Sequence, residues 1–382
     1  MARRTFHRDM DRVMTRVFDT LPVHGGRLSD VSRRYGIERG DWLDLSTGIN
    51  PWPYPITPID ARACQALPDH DLALLETSSR YYLGSSLQVD GDDRDALTLF
   101  NIPGSQWAIE QLPHCVESGI VALPNIGYRE HEWRWQQAGH QIRRYDADHP
   151  ESVMDLPGSD HLRAMVVINP NNPGGQHIAP CDLRALAASL QQKGTVMVVD
   201  EAFVDATPEQ SLLPNIADNV IILRSLGKFF GLAGLRLGAV IGKTSLTAIH
   251  QLSALQGPWR ITSPSQKAGA EALEDHFWQR AMRATLKRAS HQQGAWLEAR
   301  LNAHGDIERW RQSALFNGFD MEFDRARRWH EALLSQGVLT RLWEVSEQRA
   351  ILRFGLHDES PRAIQHLEQA MSKANKATGR PS

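Results

Sequence analysis

"VMVVDEAF", residues 196–203, decides the fold: four apolar residues in unbroken succession, then Asp200 and Glu201. A strand with one face in water alternates apolar and polar residues. An unbroken apolar run marks a strand buried on both faces, as in a parallel sheet covered by helices. "MVVIN" (165–169) reads the same way, and the apolar runs "LTLFNIP" (97–103), "GIVALP" (119–124), "VIILRSL" (220–226) and "LRLGAVIG" (235–242) complete the set. Helical patterns separate them, such as "CDLRALAASLQQKG" (181–194) with Gly194 placed to cap its end. The spacing predicts an α/β fold around a mostly parallel sheet.

Beyond it, residues 264–303 read as one or two long helices. A second, smaller α/β unit follows: strands in "SALFNGFDMEF" (313–323), "VLTRLWEV" (338–345) and "RAILRFGL" (349–356), and helices in "ARRWHEALLSQG" (326–337) and "PRAIQHLEQAMSKA" (361–374). The expected organisation is an arm over 1–50, a large domain over 51–262 and a small domain over 263–382. "GINPWPYPITP" (48–58) is proline-rich and predicts an extended, turn-rich link.

The bulk numbers remove several function classes. The 382 residues carry 42 Lys plus Arg and 45 Asp plus Glu, a net charge of -3, which gives no electrostatic reason to expect nucleic acid. No run approaches the ~18 apolar residues of a membrane span. Cys64, Cys115 and Cys181 form no pair at metal-binding or disulfide spacing, and the reading is a cytoplasmic protein with no metal.

In an open parallel sheet ligands bind at the carboxyl ends of the strands. Four ends carry polar groups: Gly104-Ser105-Gln106, Asn169 to Asn172, Asp200-Glu201, and Ser225 with Lys228. Taken singly each has a plainer reading. Asp200 suits a cap or an ion pair, "NPNNPGG" (169–175) a turn, Gly104-Ser105 an ordinary helix start, and Arg236 the surface. Lys228 resists such a reading, because "SLG" precedes it and "FFGLAGL" follows, and an amine among apolar groups needs a partner or a task. The chemistry that asks for the whole set is that of pyridoxal phosphate. A partly desolvated lysine captures the aldehyde, and a buried aspartate keeps the pyridine nitrogen protonated. A helix start and an arginine hold the phosphate.

"NPNNPGG", "DEAF" (200–203) and "SLGKFFGLAGLRLG" (225–238) together resemble the fold-type-I pyridoxal-phosphate enzymes, in the aminotransferase branch near histidinol-phosphate aminotransferase. "HGGRLSDVSRRYG" (24–36), "WLDLSTGINPWPYP" (42–55), "IPGSQWAIEQLP" (102–113) and "YREHEW" (128–133) are similar to the threonine-phosphate decarboxylase family of cobalamin biosynthesis. The resemblance implies decarboxylation of L-threonine O-3-phosphate to (R)-1-amino-2-propanol O-2-phosphate, with histidinol-phosphate-type transamination as the alternative. It implies Lys228 as the Schiff-base lysine, Asp200 as the pyridinium partner and Tyr128 stacked on the ring. Asn172 falls to the cofactor hydroxyl, and Gly104, Ser105, Gln106, Ser225 and Arg236 to its phosphate. Arg353 pairs with the substrate carboxylate, and His24, Gly25, Gly26 and Asn50 lie near the substrate phosphate. A homodimer follows by the same analogy.

Three residues depart from the aminotransferase pattern: Gly174 where threonine is common, Phe203 where transaminating relatives carry tyrosine, and Leu67 where many carry a tyrosine. A non-catalytic regulator on the same scaffold is the reading from another class. Residues 1–60 are too short and too proline-rich for its DNA-binding module. A nucleotide-binding loop is excluded because neither Ser nor Thr follows Lys228.

Overall fold

A computed structural model describes residues 25–68, 72–84, 96–302 and 305–378. Its centre is a seven-stranded sheet in the order β2-β8-β7-β6-β5-β3-β4. The strands are β2 (Leu97–Ile102), β3 (Ile120–Pro124), β4 (Gln141–Tyr145), β5 (Leu162–Ile168), β6 (Val196–Asp200), β7 (Val220–Ser225) and β8 (Gly238–Lys243). All pairs are parallel except the two made by β8. The unbroken apolar runs are explained by what each face meets. Met165, Val167, Met197, Val199 and Ile222 enter one core, while Val166, Val198, Ile221 and Leu223 enter another on the opposite face.

The sequence reading missed β4. "QIRRY" has no apolar run because the strand is an edge, pairing only with β3, and the exposed Arg144 meets Glu132. Polar edges of this kind discourage pairing with other chains.

The C-terminal residues form a four-stranded antiparallel sheet in the order β12-β13-β10-β9: β9 (Ile307–Gln312), β10 (Phe316–Glu322), β12 (Arg341–Glu344) and β13 (Arg349–Gly355). β9, "IERWRQ", is again a polar edge strand absent from the sequence reading. The "VLTRLWEV" segment is two strands rather than one. Its first part, β11 (Val338–Leu339), leaves the sheet to pair in parallel with β1 (Leu43–Asp44).

The expected arm is thereby partly a piece of the C-terminal unit. Leu45 is buried among Phe319, Trp329 and Leu352, and Trp42 packs on Leu334 and Leu339. The helical stretch at 264–303 resolves into Ser263–Glu274 and a 26-residue helix, His276–Leu301. Ala272, Leu273, Leu286 and Ala289 pack with the large sheet, whereas Leu297 and Leu301 lie in the C-terminal core. The two helices that follow residue 262 thus together pack on both units.

Candidate active site

Register brings the polar strand ends to one edge. Ile168 lies beside Asp200, Asp200 beside Leu223, and Ser225 beside Gly238, which also faces Ile102. Gly104, Ser105, Asn169, Asp200, Ser225 and Arg236 thus leave the sheet at the same side, although they are scattered over more than a hundred residues.

Asp200 is buried, and its Oδ1 accepts the N–H of Ala202 at 3.0 Å. Its Oδ2 lies 3.0 Å from Nε2 of His131, itself buried on the helix Arg129–Gln137. The sequence reading passed over His131 inside "YREHEW". Only the packing of that helix on β3 and β4, which lets His131 reach Asp200, reveals it. Behind this pair, Arg224 joins Glu201 at 3.2 Å and Asp205 at 3.0 Å, an internal ion cluster that ties the ends of β6 and β7 together.

Lys228 sits on the turn after β7. The Lys228 carbonyl accepts the N–H groups of Asn50 (3.0 Å) and Gly231 (3.2 Å), and the Asn50 amide donates to the Phe229 carbonyl at 2.8 Å. The Asn50 Oδ1 accepts from Trp52 N–H at 2.9 Å. Asn50 therefore braces the lysine turn through both its side-chain polar atoms. The Lys228 amine lies 5.4 Å from the centre of the Phe203 ring. Burial, with Arg353 and Arg236 adding to it against Asp200, brings its pKa down to about 8. Lysine and aspartate feel each other across the same small space.

Gly104 has φ 77°, and a Cβ there would lie 2.9 Å from Arg236 Nη2. Only glycine lets that guanidinium rest against the start of the helix Ser105–Gln111, whose first N–H groups have no acceptor within the helix. The Ser225 hydroxyl accepts from Gly227 N–H at 3.3 Å. The Gln106 side chain is otherwise engaged. Its Oε1 accepts from the Tyr128 hydroxyl at 3.2 Å, and its Nε2 donates to Glu130 and Glu110. Gln106 can offer an anion its main chain only. Burial raises the Tyr128 phenol far above its ordinary pKa, so it stays protonated.

Arg353, on β13, is 4% exposed, and among the described residues no carboxylate pairs with it. Its Nη1 donates to Asn172 Oδ1, its Nη2 to the Ser46 carbonyl, and its Nε has no acceptor. Burial and Arg341 lower its pKa to about 9. Arg341 is directly opposite Arg353 in the β12–β13 register. Like charges facing each other across strands are unfavourable unless an anion joins them. The sequence reading overlooked Arg341, whose place depends on that register. The arm joins the same spot: Gly26 N–H donates to Ser46 Oγ at 2.8 Å, and a Cβ on Gly25 would lie 2.4 Å from the Ser46 carbonyl. His24 lies outside the described residues.

Two of the three departures acquire a setting. At Gly174 a Cβ would lie 2.0 Å from Gln176 Oε1, which accepts from Asn171 Nδ2 at 3.0 Å, so the Gln176 side chain fills the place of the missing threonine. Phe203 packs edge-on against Phe316 and closes on Gly48. Leu67 is exposed.

Residues 60–362 match the family model described as aminotransferase class I and II. The chain belongs to that family. Family members of known name include the threonine-phosphate decarboxylase of Pseudomonas aeruginosa, 39% identical over 87% of this chain and 92% of that protein. Histidinol-phosphate aminotransferase 1 of Cupriavidus pinatubonensis is 27% identical over 91% of this chain and 93% of its own length. Among solved structures, the histidinol-phosphate aminotransferase of Sinorhizobium meliloti in complex with pyridoxal-5'-phosphate superposes with a TM-score of 0.73. It is 18% identical and covers 94% of this chain and 96% of its own. The fold is that of fold-type-I pyridoxal-phosphate enzymes.

Proposed function

We propose that the protein decarboxylates L-threonine O-3-phosphate to (R)-1-amino-2-propanol O-2-phosphate in cobalamin biosynthesis, with pyridoxal phosphate as cofactor. The residues fit that cofactor. An amine with a depressed pKa faces a buried carboxylate, and a glycine with no room for a side chain seats Arg236 at a helix start. Lys228 would join the aldehyde carbon. Asp200, oriented by His131, would face the ring nitrogen, Tyr128 the ring and Asn172 its hydroxyl. Ser105, Ser225, Arg236 and the main chain of 104–106 would take its phosphate. When bound, the cofactor supplies an electron sink for the pair released as a bond at the substrate α-carbon breaks.

The observation that carries the substrate class is Arg341 opposite Arg353, the second of which acts on the Lys228 amine. Two guanidinium groups suit a dianion, and a phosphate keeps its charge throughout the reaction. A carboxylate does not: it leaves as neutral carbon dioxide, and an arginine bound to it would hold the ground state back. We therefore assign Arg353, together with Arg341, Gly25 and Gly26, to the substrate phosphate rather than to the carboxylate. The Phe203 and Phe316 rings form an apolar wall beside Lys228 and Arg353, where charge lost as carbon dioxide forms is least missed. With the cofactor bound, the Lys228 amine, in its protonated form, would deliver a proton at the substrate α-carbon.

The same reading makes the protein a cytoplasmic homodimer whose pairing would cover the exposed Leu67, Leu72 and Trp259. Sedimentation as a monomer would remove that part. No helix among the described residues is long and apolar enough to cross a membrane. The test of activity is incubation of the holoenzyme with threonine phosphate and no keto acid. Stoichiometric carbon dioxide supports the proposal. Amino-group transfer that requires a keto acid and releases no carbon dioxide would replace it with the aminotransferase reading.

A further inference from the structure

Trp343 follows Arg341 by two residues on β12, which puts both on one face of the sheet. The indole is buried with Ile126, Ala147 and Ile351, so it joins the C-terminal sheet to the loops after β3 and β4. Two guanidinium groups reach the same ring: Arg341 at 5.7 Å from its centre and Arg129 at 4.7 Å. Both lie within the ~6 Å over which a cation is drawn to an aromatic face. Arg129 follows Tyr128 directly and donates to the Glu344 carbonyl at 3.1 Å.

Arg341 thus has Arg353 opposite it and Arg129 nearby, and the neighbouring charge adds to burial in lowering its pKa to about 10. A long side chain facing two like charges gains by swinging away unless something holds it. The indole is one contact that holds it, and the buried Ile126 and Ile351 fix the indole in turn.

We propose that Trp343 is a positioning residue that keeps the Arg341 guanidinium on the face it shares with Arg353 and so sets the preference for phosphorylated over unphosphorylated substrates. This rests on the assignment of Arg341 and Arg353 to the substrate phosphate. Trp343 touches no reacting atom; it acts through Arg341. Phenylalanine keeps an aromatic face and leucine only bulk, which separates the hold on the cation from simple packing.

The experiment uses holoenzyme, with Trp343→Leu, Trp343→Phe and Arg341→Gln compared with the parent. KM and kcat are measured for threonine phosphate, with inhibition constants for inorganic phosphate and L-threonine. Trp343→Leu is expected to raise KM and the phosphate inhibition constant together by about tenfold, or about 1.4 kcal/mol. Its kcat stays within about threefold and the L-threonine constant within about twofold, and Trp343→Phe stays within about threefold of the parent throughout. A Trp343→Leu variant that weakens phosphate and L-threonine equally, or that lowers kcat at unchanged KM, overturns the proposal. So does a Trp343→Phe variant as impaired as Trp343→Leu. If Arg341→Gln leaves the KM for threonine phosphate unmoved, the phosphate assignment itself fails. If Arg341→Gln raises it and Trp343→Leu does not, only the role of Trp343 falls.

Discussion

Replacing Arg353 by glutamine separates two assignments that look alike in the sequence. The guanidinium is buried, has no carboxylate partner among the described residues, and keeps one nitrogen without an acceptor. If it binds the phosphate, its loss strips charge-assisted hydrogen bonds from a buried dianion. Such a truncation costs on the order of 2–5 kcal/mol. A middle value of about 3 kcal/mol is about 150-fold in kcat/KM for threonine phosphate. L-Threonine lacks the phosphate and should change by less than about threefold. Arg353→Lys, which keeps a charge but loses the two-pronged geometry, should fall between, near tenfold. The assay is carbon dioxide release from both substrates by each variant. Equal losses on the two substrates would refute the reasoning, because the carboxylate is the anion they share.

Other consequences follow from the same geometry. The rate at which apo-protein captures pyridoxal phosphate should rise with pH through a midpoint near pH 8, because the neutral, nucleophilic form of the Lys228 amine grows as pH passes its lowered pKa of about 8. Removing the Arg353 charge should move that midpoint upward. His131→Leu leaves a buried carboxylate without its partner; cofactor affinity measured by absorbance titration should fall, and thermal stability should drop by about 1–3 kcal/mol. Gly174→Thr forces its Cβ onto Gln176 and should lower the melting temperature, and adding Gln176→Ala should recover most of the loss. Unchanged melting of Gly174→Thr would show that Gln176 has somewhere else to go.

The strands buried on both faces were legible because burial on both sides leaves an unbroken apolar run, as in "VMVV" and "MVVI". β4 and β9 were not, since an edge strand needs no such run. Lys228 stood out because an amine among apolar groups is costly without a task, and Asp200, Asn172 and Arg236 gained meaning only as a set with it. Arg341, His131 and the brace made by Asn50 were illegible for a different reason. Each depends on a partner that local pattern does not name: Arg353 through strand register, Asp200 through the His131 hydrogen bond, and the Lys228–Gly231 turn through main-chain bonds. Local pattern reports burial, whereas those three report who lies opposite. The arm misled in the same way, because Leu43–Asp44 takes its meaning from Val338–Leu339.

The central claim is that one amine, at position 228, captures the cofactor beside Asp200. The direct measurement is to incubate the protein with pyridoxal phosphate, fix the adduct by borohydride reduction, digest, and map the modified residue by mass spectrometry. The account predicts stoichiometric pyridoxyl modification of Lys228 and none there after prior substitution to alanine. Modification at another lysine, such as Lys243 or Lys267, with Lys228 untouched, would contradict it.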